Sequence, residues 1–600
     1  MRKKGRIKAI VTMFFILSGA MSILAQAVAY KPSGVSIMPL TQIKEGMRGK
    51  AKTVFRGVEP EEFDVEILGV LPGAIGPKQD LIIGKISGDQ VEKTSVFAGM
   101  SGSPVFIDGK LIGAIAYSFP FSKEPICGIT PIEQMIGIFS SDLKQQKPKK
   151  TSFYLSEISS ATLDFSFSEL SARKSESVRP IATPLAFGGF SPKALEFFSS
   201  RLSEIGFLPI TLAGSSSSLS MKKYDDKTLQ AGASVGMSLV RGDYSVTAFG
   251  TVTFRDGDRV YAFGHPFLNL GSTSFPMSEA RVVAVIPSIY NSFKLAVSDA
   301  AVGAMTEDRN TGVLGSLGQI PKMVPVKVKL KSSRRKIENL YFEVVDDVFL
   351  TPLLLNFTIY NAVVSNEKSL GDGTVQITAT IELENNQTVK LNRRFSGFSS
   401  PQLAAGAVAV PVSILLQSGF EEANIKQVDL EIDFSENAKT AFLEKVFVNK
   451  AEVSRGELLE IECFLRTNDE KLIVRKLRMK VPENSTEKTL QLIVADADSV
   501  QKLIPDVLFT PQDLSDLVER LNRIRQNDKL YALIAQASVG AVMGSSYLPN
   551  LPPSFLATLS NGQTSGSFAP VALSVLDEKE SEDTDYVVTG QKVITLFVKD

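Results

Sequence analysis

Two Asp-Gly dipeptides constrain this chain more than any other feature. Asp108-Gly109 joins Ser103–Ile107 to the run that starts at Lys110, and Asp256-Gly257 joins Val246–Phe254 to Arg259–Phe263. A two-residue Asp-Gly connection prefers a tight turn whose twist matches that of the strands it joins, so each site predicts an antiparallel hairpin. The surrounding sequence agrees. Glu62–Val70 alternates apolar and polar residues, and Asp80–Ser87 and Gly128–Ile132 also read as strands. Pro72-Gly73 and Gly76-Pro77 are expected to interrupt them.

One hairpin leads out of a serine and the other leads into a histidine. The serine lies in Gly99-Met100-Ser101-Gly102-Ser103-Pro104. Flanking glycines let the backbone bend until its N–H groups point at an oxyanion, as serine nucleophiles require. A glycine-rich turn between two core strands fits the same letters. His265, between Gly264 and Pro266, is the one histidine among 600 residues. An imidazole base for Ser101 has no other source, and a chain turning between glycine and proline is expected to expose it. A packed or surface histidine is the plainer alternative.

The serine segment, with its GMSGSP and following GKLIGA hairpin, resembles that of the SpoIVB-type serine peptidases. The Gly-His element after Gly250–Phe254 resembles the same family's histidine segment, and Gly303–Gly315 a third block. The resemblance covers roughly residues 35–140 and 230–330. It implies a trypsin-like double β-barrel, peptide-bond hydrolysis outside the cytoplasm, Ser101 as nucleophile and His265 as base. By the same template, the Gly99 and Ser101 N–H groups form the oxyanion hole. The family places its histidine lobe first, behind a PDZ domain; here Ser101 precedes His265 and no PDZ pattern is visible. A triad tolerates such a permuted order because it is a matter of geometry.

The third member is less determined. Asp308 follows the histidine within its lobe, as the acid does in trypsin-like proteases, and is the first candidate; the alternative is a surface aspartate paired with Arg309. Asp89, shortly before the serine motif, is the second. An esterase would use the same residues, and an inactive envelope binding or scaffold protein would keep the fold without the chemistry.

Residues 1–29 read as a signal peptide: Arg2, Lys3, Lys4, Arg6 and Lys8 precede the apolar Ala9–Leu24, and small residues suited to cleavage follow. The chain is therefore expected in the periplasm, envelope or medium. A membrane tether follows only if this segment is retained, since no second stretch reads as long and apolar enough to span. Formal net charge is zero, which gives no reason to expect nucleic acid. The partner is a protein or peptide substrate. With one histidine and two cysteines, Cys127 and Cys463, no zinc site and no cofactor is expected, and the cysteines read as buried and unpaired.

The expected organisation is mainly β. Residues 30–143 form the serine lobe, 144–230 a linker or insertion with one helix capped by Ser191-Pro192, and 231–335 the histidine lobe. A β-rich module at 336–445 and a β-sandwich-like module at 446–500 follow. Residues 501–600 hold a helix from Thr510-Pro511 and a terminal strand, Lys592–Val598.

Overall fold

The computed structural model describes residues 35–599 except 141–149, 151, 164–177, 213–218, 333–336, 366–371, 486, 504–507, 544–545, 549–550 and 560–567. The expected signal segment, and residues 144–149 and 213–218 of the expected linker or insertion, lie outside the described residues. The first lobe is a closed barrel of β1 (Arg48–Thr53), β2 (Glu61–Gly76), β3 (Gln79–Ser87), β4 (Ser103–Ile107), β5 (Lys110–Ser118) and β6 (Ile126–Pro131). Their order runs β4-β1-β2-β3-β6-β5, and β5 pairs back onto β4, with Pro104 opposite Ala114. Alternation does the work expected of it: Phe63, Val65 and Ile67 of β2 point into a core shared with Ile82, Val105, Ile115 and Ile129. Cys127 joins that core, and both cysteines are buried and free. Strand β2 runs through Pro72-Gly73, its register shifting between Leu71 and Gly76, where the sequence suggested a stop.

The histidine lobe closes in the same way. Its strands are β7 (Ser234–Gly242), β8 (Ser245–Asp256), β9 (Arg259–Ala262), β10 (Gly271–Ile286), β11 (Phe293–Arg309) and β12 (Gly312–Leu317). They run β8-β9-β12-β11-β10-β7, and β7 pairs with β8, so this too is a six-stranded antiparallel barrel. The expected double barrel is present, serine lobe first. The segment before β7 is more than a linker. Strands Thr183–Gly188 and Phe207–Leu212 extend the second barrel's sheet from β8, with α1 (Pro192–Glu204) between them. Ser191 caps α1 by accepting from Ala194 N–H at 3.2 Å.

Beyond β12 the sheet continues from β7 through Ile337–Val345, Met323–Lys331, Ile425–Ser435, Gly373–Leu383 and Thr388–Gly397. Two helices that the sequence reading missed, α2 (Leu350–Ser365) and α3 (Ser400–Gln417), pack with these strands in one core continuous with the second barrel. Helix α3 corrects the expectation that no second stretch is apolar enough to span: by length and composition it is, with a mean hydropathy of 1.3, although 72% of it is buried inside the protein. Thr440 to Lys599 forms two sheets around a shared core containing Leu443, Ile461, Leu492, Ile534 and Leu596. The last two expected modules are thus one sandwich. The Leu514–Asn522 helix begins at an Asp513 cap, three residues after the expected start.

Candidate active site

The turn between the helix Asp89–Thr94 and β4 carries Ser101. Gly99 and Gly102 take φ of +93° and +97°, which side chains rarely adopt. There is no room for a side chain either: a Cβ on Gly102 would stand 2.0 Å from the Thr251 carbonyl oxygen. The turn is bolted to the second barrel. Thr251 N–H donates to Ser101 O at 2.9 Å, Thr251 Oγ1 to Gly99 O at 3.0 Å, and Thr253 Oγ1 to Gly102 O at 2.9 Å.

Three further bonds aim the backbone. Lys294 N–H donates to Ala98 O at 2.9 Å, while Ser103 donates to Met100 O through N–H at 3.0 Å and Oγ at 2.5 Å. In a trans peptide the N–H points opposite to the C=O. Pinning the Ala98 and Met100 carbonyls therefore turns the Gly99 and Ser101 N–H groups the other way. Among the described residues neither N–H has a hydrogen-bond partner. The sequence alone does not reveal this role of Ser103.

The histidine sits on a strained loop. Phe263 takes φ of +68°, unusual for a bulky residue, and Gly264 follows at +70°. Gly264 packs on β5, where an added Cβ would stand 3.0 Å from the methyls of Ala114 and Ala116. Gly102 N–H donates to Ile115 O, between those two alanines, at 2.7 Å. The turns holding Ser101 and His265 thus rest on adjacent residues of one strand. His265 is only 2% exposed, contrary to the expected exposure, although it borders a cleft.

His265 Nδ1 lies 2.8 Å from Pro266 O. A carbonyl only accepts, so Nδ1 carries the proton and Nε2 keeps its lone pair. Burial lowers the ring's pKa to about 4, against a smaller upward effect of the Pro266 contact. Ser101 Oγ and His265 Nε2 are both buried, and among the described residues neither has a hydrogen-bond partner, so they do not bond to each other here.

Asp308 reaches the histidine's loop and not its ring. The carboxylate accepts from the N–H groups of Phe267 (2.8 Å), Leu268 (2.8 Å) and Leu270 (3.0 Å). It is 1% exposed, and burial raises its pKa to about 6 against the lowering effect of these backbone contacts. Arg309 pairs with Glu307 at 3.0 Å, not with Asp308. Asp89 is exposed at the start of its short helix and bonds neither Ser101 nor His265. The cleft itself measures about 1400 Å³ and takes its walls from Ser95-Val96, the loop 118–126, His265–Leu270 and Ser288–Ser292. Ser101, 0% exposed, is not among the residues that line the cleft.

Residues 11–136 match the family model described as SpoIVB peptidase S55. The match covers the serine lobe and ends well before His265, and over that span it bears out the resemblance carried by the serine motif. It supports a serine peptidase in general terms. No curated protein and no solved structure matches the chain.

Proposed function

We propose that this chain is an exported, SpoIVB-like serine endopeptidase that hydrolyses peptide bonds of envelope or secreted proteins. One observation carries the reading: Ser101 Oγ and His265 Nε2 are buried polar atoms without partners among the described residues, on turns seated side by side on β5. Leaving a buried polar group unpaired costs about 1–3 kcal/mol, so two at one place call for a use.

His265 Nε2 takes the proton as Ser101 Oγ bonds to the scissile carbonyl carbon. The carbonyl electrons move to oxygen, which the Gly99 and Ser101 N–H groups receive. Collapse breaks the C–N bond and the amine leaves with the proton from Nε2; water, activated by the same nitrogen, then releases the acyl group. The Pro266 carbonyl fixes the tautomer. Asp308 contributes by holding the loop that carries the imidazole.

The second reading is a binding or scaffold protein that retains the fold without the chemistry. It is favoured by the full burial of Ser101, since a substrate must displace part of the cleft wall to reach Oγ. Labelling with a fluorophosphonate separates the two. The enzyme reading expects a labelled wild type and an unlabelled, folded Ser101→Ala variant. A wild type that takes up no label would leave the scaffold.

A further inference from the structure

Lys294 is a fully buried lysine in β11, among the largest side chains in the core. Among the described residues no carboxylate reaches it. Its Nζ bonds only two hydroxyls, Thr251 Oγ1 at 3.2 Å and Thr53 Oγ1 at 3.4 Å. Burying an amine without a counter-charge is costly, and burial lowers its pKa to about 7. Methionine or leucine would fill the same volume without that cost.

The side chain bears on the serine turn twice, once directly and once through Thr251. Its stem is the wall behind Gly99, where an added Cβ would lie 2.9 Å from Lys294 Cβ. Its head bonds the Thr251 hydroxyl, which in turn donates to Gly99 O at 3.0 Å. The chemistry is directional. A threonine hydroxyl has one hydrogen, and a donor at its oxygen leaves that hydrogen free to point at the carbonyl. A neutral amine has two N–H groups, one for each threonine.

We infer that Lys294 is a positioning residue for the oxyanion site, its amine holding the Thr251 hydroxyl on the Gly99 carbonyl and thereby fixing the turn that aims the Gly99 and Ser101 N–H groups. The inference rests on the serine-peptidase reading. It assigns Lys294 no contact with substrate and no proton transfer.

The test compares the full-length wild type with Lys294→Met, Thr251→Val and the double variant. Each is measured for the rate constant of fluorophosphonate labelling at Ser101, and a crystal structure of Lys294→Met is determined. Lys294→Met is expected to fold with an undiminished thermal midpoint and to label about tenfold to a hundredfold more slowly, short of losing a whole oxyanion donor. Thr251→Val is expected to match it, and the double variant to be no slower than the slower single one. In the crystal, the Gly99 carbonyl is expected to have left the Thr251 hydroxyl. An unchanged labelling rate, multiplying losses, or a Gly99–Thr251 bond intact without Lys294 would each overturn the inference. So would a loss as complete as that of Ser101→Ala, which would make the amine a proton carrier. If the wild type does not label at all, the peptidase reading fails, and the crystal structure still decides whether Lys294 holds the turn.

Discussion

At the scale of single residues the site is governed by burial. His265 keeps its base form down to about pH 4, so kcat/KM is expected to rise through a transition near that pH and not near the ordinary imidazole value of about 6.5. Because its folded pKa lies below its unfolded one, the unfolded chain binds more protons between about pH 4 and about 6.5. The histidine's stabilising contribution is complete above that window and is lost as the pH falls through it. Asp308, raised to about 6, acts with the opposite sign, so thermal midpoints of His265→Gln and wild type are compared pH by pH. The wild type should lose more between pH 6.5 and 4; equal losses would place the imidazole in water. Asp308→Ala orphans two buried N–H groups, those of Phe267 and Leu268, at about 1–3 kcal/mol each, and the half-buried one of Leu270, whereas Asp308→Asn keeps one acceptor oxygen and should cost visibly less in a urea titration. Ser101 and His265 could be singled out from their glycine-flanked letters. Lys294 could not: a lysine between Phe293 and Leu295 reads as the wet side of an alternating strand, and only the docking of the serine turn onto β11 makes that side an interior.

At the scale of elements, hairpins were legible and buried helices were not. Asp-Gly between apolar runs is a local signal, and both such turns formed between the expected strands. Helices α2 and α3 are apolar nearly all round, with no polar face for a 3.6-residue period to reveal, so tertiary burial was needed to recognise them. The two turns of the serine hairpin offer a matched test. Gly102 and Gly109 both have positive φ, but a methyl at 102 meets the Thr251 carbonyl, while at 109 nothing lies within 4 Å. Gly109→Ala should cost roughly 1 kcal/mol and leave labelling of Ser101 unchanged. Gly102→Ala should cost roughly 2–3 kcal/mol and abolish labelling, because the turn must leave β8. Equal effects would mean that the turn's seat on the second barrel is unimportant.

At the scale of the whole molecule, the sandwich is tied to the sheet through Arg394. Its Nη1 donates to Asp585 O at 2.9 Å, and its Nε lies 3.7 Å from Asp528, a carboxylate 3% exposed. Burial pushes the Asp528 carboxyl up and the guanidinium pulls it down. Arg394→Met would leave that charge alone, at a cost of about 3 kcal/mol. The loss should shrink as the pH falls and Asp528, its pKa raised by burial, takes up a proton; a pH-independent loss in the thermal midpoint would assign the cost to packing alone. The bonds that seat the serine turn carry a different consequence, one of timing. The nucleophile is made early, but Thr251 and Lys294 come 150 and 193 residues later. A newly synthesised chain therefore carries its serine through 193 further residues of its own production without the frame that seats it. On the proposed peptidase reading, this lobe order spares the growing protein and its neighbours until the second barrel has closed behind the first.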